Sequence, residues 1–333
     1  MESSNVRRFN KQAAYYMWAG VFFLLVFAVL LGIYYSTKQI DYVWGWSRIP
    51  QYFMYDEMVE TRSEIGGTVD SVLVHGQKAV IRIKGKGEEG SYTVPARSIR
   101  VSEGDMIFVG DVLEAHKERQ WGLLLVGLWI TLKVSVIAVI LGILLGILTG
   151  LARISSNPVL KWSSITYIEL IRGSPLLVQI FIWYFVLGTL INKLLEKNGF
   201  EFLIPGLWFG IAALACFAGA YVAEIVRAGI QSIHRGQTEA ARSLGMTYVQ
   251  CMGYVILPQA MRRILPPLAG QFISLIKDSS LLGAIAIREL TKATREGVSS
   301  SFMTFELWFV CAILYLVLTF SLSMILQYVE RRI

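Results

Sequence analysis

Trp121-Gly-Leu-Leu-Leu-Val-Gly-Leu-Trp-Ile-Thr-Leu-Lys-Val-Ser-Val-Ile-Ala-Val-Ile-Leu-Gly-Ile-Leu-Leu-Gly-Ile-Leu-Thr-Gly-Leu151 carries a single charge, Lys133, and is longer than any core helix needs to be. About 20 apolar residues in a helix cross the hydrocarbon core of a bilayer. Runs of the same kind lie near 17–35, 174–195, 206–226, 264–287 and 306–328, which makes six spans with 121–151. The composition agrees: 55% of the 333 residues are hydrophobic, 17% are charged, and the mean hydropathy is +0.54. Such a chain is too apolar for a soluble protein of this size. The net charge of +7 lies between apolar runs, which points to membrane orientation and away from nucleic acid.

Six spans place both termini on one side. Arg7, Arg8 and Lys11 flank the first span, Arg153, Lys161 and Arg172 the loop after the second, Arg227, Arg235, Arg242, Arg262 and Arg263 the loop after the fourth, and Arg331 and Arg332 the end. The opposite loops carry Lys193 and Lys197, then Arg288, Lys292 and Arg295, offset by glutamates. The positive-inside rule therefore puts the N-terminal 1–16, the 227–263 loop and the C-terminus in the cytoplasm. The 17–35 run follows basic residues as a signal peptide would, but it is long enough to span and no small-x-small cleavage site follows, so a retained helix is expected. Lys133 snorkels or faces the bundle, and Tyr42, Trp44, Trp46, Trp121 and Trp129 read as interfacial anchors.

Residues 36–120 are too long and too polar for a connector, and on this topology they lie outside the cytoplasm. Alternation in Thr68–Val74 and Ala79–Lys84, with turns at Gly66-Gly67, Gly76-Gln77, Gly85–Gly90 and Gly104-Asp105, predicts a small β-domain over about 62–116. Val101–Leu113 resembles the turn of barrel-sandwich domains, without the lysine signature of those that carry a cofactor. Gly85-Lys-Gly-Glu-Glu-Gly-Ser91 lacks the ending and the following helix of a phosphate loop, and no Walker A sequence occurs. Cys216, Cys251 and Cys311 show no metal or disulfide spacing, and His75, His116 and His234 have no ligand spacing.

The cytoplasmic stretch Gly229-Ile-Gln-Ser-Ile-His-Arg-Gly-Gln-Thr-Glu-Ala-Ala-Arg-Ser-Leu-Gly245, followed by Ile256-Leu-Pro258, predicts a short helix over Glu239–Ser243 that stops at Gly245. Ala240 and Ala241 would leave a shallow face for another protein's groove, with Glu239 and Arg242 pairing charges at its rim. An ordinary surface helix fits the spacing equally well.

The pattern E-A-A, three residues, G, then I-x-L-P resembles the EAA loop of type I ABC importer permeases. Here it stands as Glu239, Ala240, Ala241, Gly245, Ile256 and Pro258. Ala220–Arg227, Gly236–Ala241, Ile168–Gln179 and Leu275–Leu281 resemble the polar amino acid branch, and Gly127–Leu132 resembles its first core helix. The resemblance implies an all-α polytopic fold: a five-helix permease core in 121–333, one N-terminal helix, and the β-domain as an insertion. Trp44–Pro50 looks like the lead-in these permeases place before the first core helix, so the β-domain interrupts it close to where a binding protein docks. It further implies a bacterial inner-membrane location, a second permease subunit (same or related), a cytoplasmic ATPase dimer that holds ATP and Mg2+, an external solute-binding protein, and no cofactor in this chain. Gly236, Glu239, Ala240, Ala241, Arg242, Gly245, Ile256 and Pro258 are the expected ATPase-coupling residues.

Charges at bilayer depth need partners or water. Gln179, Glu224, Lys277 and Asp278 are the candidates for the solute pathway. Each also admits a structural reading: an i, i+3 pair of Glu224 with Arg227, and an adjacent Lys277–Asp278 pair beyond Pro266-Pro267. An ion channel or secondary transporter explains six spans and buried charge too, but gives no reason for the small-residue cytoplasmic helix.

Overall fold

The computed structural model describes residues 2–85, 87–330 and 332, with the backbone alone for 2–14 and 330. Lys86, Arg331 and the side chains of Arg7, Arg8 and Lys11 therefore lie outside the described residues. Helix α1 (Glu2–Gln39) forms a unit of its own with the segment up to Trp46; its Tyr15–Gln39 portion is apolar around its whole circumference and long enough to span.

The second unit, Ser47–Ile333, begins with a short 3-10 helix, Trp46–Tyr52, whose last turns pack Ile49, Tyr52 and Phe53 against Leu124, Leu290 and Leu307. The chain then leaves the bundle and returns: Gly122 N–H donates to Phe53 C=O at 2.7 Å. Everything between those two residues is thus an insertion with adjoining ends, the geometry that a host fold tolerates best.

The insertion is a β-domain on a ribbon. β1 (Met54–Arg62) pairs antiparallel with β6 (Val112–Trp121), from Met54 opposite Trp121 to Arg62 opposite Val112. Beyond it, β2 (Gly67–His75), β3 (Lys78–Lys84), β4 (Glu89–Pro95) and β5 (Met106–Ile107) form a sheet in the order β4-β3-β2-β5. The sheet wraps Val69, Ala79, Ile81, Ile83, Val94 and Leu113. The two alternating segments and the Gly76-Gln77 hairpin are as the sequence predicts, Gly76 supplying the positive φ of 64°. The boundary moves outward from 62–116 to 54–121. Met54–Arg62 mixes apolar and acidic side chains without alternation, and only the backbone pairing to the returning strand makes it β.

Five helices are long and apolar enough to span: Tyr15–Gln39, Leu123–Arg153, Leu176–Lys197, Gly206–Gln231 and Thr304–Val329. A sixth candidate is broken, Tyr248–Ile285 with Leu290–Ser301 bent by 50°. In the second unit these comprise α2 (Leu123–Arg153), α3 (Pro158–Gly173), α4 (Leu176–Phe181) running through a π-helical turn into α5 (Thr189–Lys197), and α6 (Gly206–Gln231). After them come α7 (Arg235–Ser243), α8 (Tyr248–Cys251), α9 (Leu257–Asp278), α10 (Leu290–Ser301) and α11 (Thr304–Glu330).

One expectation is corrected here. Residues 158–173, read as loop, are helical; Asn157 caps them by accepting from Val159 N–H at 2.9 Å, with Pro158 at the first position. Helix α9 runs through Pro266 and Pro267 and ends at Asp278, where a 3-10 helix over Ser279–Ile285 continues the chain.

The bundle is centred on α2 and α6. Gly142, Gly146 and Gly150 recur every four residues and so share one face of α2. A Cβ on Gly142 would stand 2.8 Å from the Ala218 methyl, on Gly146 2.8 Å from Gly219 C=O, and on Gly150 2.8 Å from Ala223 C=O. The two backbones therefore touch, the packing that helices use in lipid, where apolar burial alone does not drive association. Partner positions rise together, so α2 and α6 run parallel. The N-terminal part of α2 faces α10, through Gly127 against Ala293 and Leu290 N–H donating to Thr131 Oγ1 at 3.0 Å, and that of α6 faces Leu282 and Ile287 through Gly210. Their last turns reach the 227–263 segment, so the β-domain and this segment lie at opposite ends of the bundle.

Candidate functional site

The conspicuous structure at the far end of α6 is α7. His234 caps it by accepting from Gly236 N–H at 3.1 Å, and a Cβ on Gly236 would stand 3.0 Å from that ring nitrogen, which explains glycine there. Its other end closes in a Schellman arrangement: Met246 N–H donates to Ala241 C=O at 3.2 Å and Gly245 N–H to Arg242 C=O at 3.0 Å, with Gly245 at a φ of 81°. The next helical turn starts from a capping box between Thr247 and Gln250. Each boundary is locally encoded, so the helix–stop–helix unit is rigid before any partner arrives.

Glu239, Ala240, Arg242 and Pro258 are exposed, and Glu239 and Arg242 form no ion pair among the described residues. Ala241 and Ile256 are buried together with Val226 and Cys251. The expectation that both alanines leave an open face is thus corrected: Ala241 faces inward and carries the loop on α6 and α9, and Ala240 alone stays on the surface. Sequence reasoning missed the apolar tip. Leu244 is 84% exposed, Val249 78% and Tyr254 77%, flanking the Gly245 stop. Exposed apolar clusters of this kind mark protein contact surfaces. From behind, Arg263 Nη1 donates to Ser232 C=O at 2.5 Å and Gln259 Nε2 to Gln237 Oε1 at 3.3 Å, so α9 braces the unit.

Glu224 accepts from Arg227 through Nε at 3.0 Å and Nη2 at 2.8 Å, the i, i+3 pair that the sequence predicts. Its other oxygen receives Arg153 of α2, which lies 3.8 Å from Glu169 of α3. Both Glu224 oxygens are engaged by the protein, and this network ties α2, α3 and α6 where they meet the loop. Gln179 is buried, and its Nε2 donates to Ile171 C=O at 2.7 Å, Ser174 C=O at 3.1 Å and Ser174 Oγ at 2.9 Å, holding the break between α3 and α4. Its Oε1 is buried without a partner. Lys277 and Asp278 stand at the end of α9, Lys277 exposed and Asp278 half-buried, and they form no ion pair with each other. The four pathway candidates are not gathered into one site: Glu224 lies toward the loop, and Lys277 and Asp278 toward α10. Lys133 is exposed on α2.

A further carboxylate, Glu289, organises the opposite end. Fully buried, it caps α10: Oε1 accepts from Lys292 N–H at 2.7 Å, and Oε2 from Thr291 N–H at 2.7 Å and Tyr315 O–H at 3.1 Å. A Cβ on Gly283 would meet Oε1 at 2.8 Å. An acidic residue immediately before Leu-Thr-Lys is the cap signal that sequence alone offered. Replacing Glu289 with alanine removes the acceptor of two N–H groups and one of the two partners of the Tyr315 hydroxyl. Chemical denaturation of the purified chain is expected to read a loss of about 2–4 kcal/mol, a cap plus a buried donor, with Glu289→Gln recovering part of it.

No group of three or more potential metal ligands occurs among the described residues. Among the described residues, apolar helices of spanning length thus pack into a bundle that carries an exposed, locally capped helix–stop–helix unit at one end. Residues 142–333 match the family described as the binding-protein-dependent transport system inner membrane component, and the chain belongs to that family.

Among its relatives is a probable glutamine ABC transporter permease protein of Bacillus subtilis, 40% identical over 207 residues, which cover 62% of this chain and 91% of that protein. The glutamine transport system permease protein of Escherichia coli K12 is 38% identical over 210 residues, 63% of this chain and 92% of that one. A solved amino acid ABC transporter with histidines superposes with a TM-score of 0.56 at 41% identity, over 63% of this chain and 94% of that one. The methionine ABC transporter in an inward-facing conformation shares the fold at 19% identity and a TM-score of 0.53. The chain is therefore a multi-pass inner-membrane permease subunit of an ABC importer, a transport component and not an enzyme.

Proposed function

We propose that the solute is an amino acid, most simply a polar one, and that α7 with its Leu244–Tyr254 tip is the coupling element gripped by a cytoplasmic ATPase that holds ATP and Mg2+. The carrying observation is the unit's construction: locally capped at both ends, braced by α9, and exposing Leu244 together with Glu239 and Arg242, which form no ion pair among the described residues. Two copies of this chain, or one copy and a related chain, enclose the pathway. ATP-driven closure moves the coupling helices together and rocks the spans, a two-state equilibrium that nucleotide and loaded binding protein bias jointly. Because α7 is joined to α6, and α6 meets α2 backbone to backbone, displacement passes into the bundle without slack.

On this reading the termini are cytoplasmic, and the β-domain, at the other end of the bundle, stands on the side where the binding protein delivers solute. The names of the relatives, which include glutamine and amino acid systems, support the solute class. The test is amino-acid-stimulated ATPase activity of the complex in lipid, with Glu239→Arg and Gly245→Val beside the native chain. A drop of about tenfold or more in both, with the permease still folded, is expected. Native activity in both variants, or a native complex indifferent to every amino acid, would remove this reading.

A further inference from the structure

The family match starts at residue 142, so the β-domain lies wholly outside it. Among the described residues, no strand of the ribbon or the sheet packs extensively on a helix of the bundle. The nine residues of β1 carry the sheet about 30 Å along the ribbon from the Phe53–Gly122 closure. At the far end of the ribbon the chain forms an apolar prong over Met106–Val109. Met106 is 73% exposed, Phe108 65% and Val109 70%, while Ile107 between them is buried in one cluster with Val69 and Leu113.

The prong is held from both sides. Gly104 and Gly110 bound it at φ of 92° and 94°. Asp105 Oδ2 accepts from Ser102 N–H at 2.7 Å, and Asp111 Oδ2 from Phe108 N–H at 2.8 Å. Val69 N–H donates to Asp105 C=O at 2.9 Å, and Gly110 N–H to Ser63 C=O at 2.8 Å. Three large apolar side chains are thus fixed in solvent, where burial is the favourable state. A preorganised apolar surface of this kind marks a protein contact that loses little conformational freedom on binding.

Charge selects the partner. Val101–Leu113 contains Glu103, Asp105 and Asp111, all exposed, and no basic residue. Arg62, the cation beside the prong, pairs with Glu60 and donates to Gly110 C=O at 3.1 Å. An acidic rim is repelled by anionic headgroups, and two copies of the prong face to face would set like charges against each other. A different protein, with an apolar hollow edged by basic side chains, meets neither obstacle.

We propose that the Met106–Val109 prong is a docking element for the extracytoplasmic solute-binding protein. The proposal rests on the importer reading above, which sets the β-domain on the side where that protein arrives, and deepens it by naming the surface. A ribbon of about 30 Å lets the prong hold the flank of a protein seated on the end of the bundle, outside the solute's route. The added contact raises the partner's residence at the permease and leaves the coupling to ATP as it is.

The test uses the complete transporter, permease with ATPase, in liposomes, titrated with the purified solute-binding protein of the same transporter. Phe108→Ser combined with Val109→Ser is expected to weaken its affinity about tenfold or more. The binding-protein concentration that half-stimulates ATP hydrolysis should rise by the same factor, with the rate at saturation native. Val74→Ser, at an exposed apolar position elsewhere on β2, is the control and should change neither. A photocrosslinking side chain at position 108 should form its adduct with the binding protein. Native affinity in the double variant overturns the docking element and leaves the permease reading intact, as does an adduct confined to lipid or to a second copy of this chain. An equal loss in Val74→Ser, or a lower rate at saturation with native affinity, also overturns it, since those mark a defect of the fold. A native transporter whose ATPase activity no solute-binding protein stimulates overturns the importer reading and the docking element with it.

Discussion

Replacing Gly146 with leucine is expected to abolish the folded permease. The new Cβ would lie 2.5 Å from the Val222 side chain and 2.8 Å from Gly219 C=O, and the second obstacle is backbone, which no rotamer change relieves. Helices that meet through their backbones have no space to give, and four added carbons must push α2 off α6 along the whole seam. The penalty is at least about 3 kcal/mol, the upper end for overpacking. The outcome is read as loss of the monodisperse species in detergent and of transport in lipid. Gly173→Leu is the matched control, since a Cβ there meets nothing within 4 Å, and it should purify normally. If Gly146→Leu behaved like the control, the α2–α6 seam would not be the contact that organises the bundle.

The second large effect leaves the fold untouched. Leu244 is 84% exposed beside the Gly245 stop, so Leu244→Asp removes almost no internal packing. Placed at the centre of a partner interface, the same change buries a charge where an apolar anchor stood, an effect of about 2 kcal/mol or about thirtyfold in affinity. Titration of the purified ATPase onto the variant should show that weakening, with the thermal unfolding profile of the permease unchanged. Ala241→Asp provides the contrast: Ala241 is buried against Ile256 and Val226, so this variant should destabilise the permease itself. Native ATPase affinity in Leu244→Asp would move the docking surface elsewhere.

These two sites differ in how far the sequence exposes them. Of the helix–stop–helix unit the sequence shows the end, a glycine at 245 that a left-handed turn requires, but it places the start at Glu239, whereas the His234 cap begins α7 at Arg235. The spans are legible for the same kind of reason, since bilayer thickness converts directly into apolar length. Helix α3 was overlooked although Asn157-Pro158 announces it, because it is too short and too polar to register as a span. The outer limits of the β-domain were misplaced because β1 has no alternation of its own. Gln179 and Glu224 stood out by polarity in apolar surroundings, yet their partners, the Ser174 turn and Arg153, belong to other segments and become visible only when the helices are assembled.

The sequence by itself determined five of the apolar helices, the β character of residues 68–84 and the Gly245 stop of α7, because each follows from periodicity, bilayer thickness or backbone chemistry within a few residues. The tertiary structure alone decided that Gly142, Gly146 and Gly150 form a seam with α6, that Ala241 turns inward while Leu244 turns out, and that Glu224 is shared between Arg227 and Arg153. Those relations join surfaces from different helices, and a close approach or an ion pair between helices exists only once those surfaces are in place.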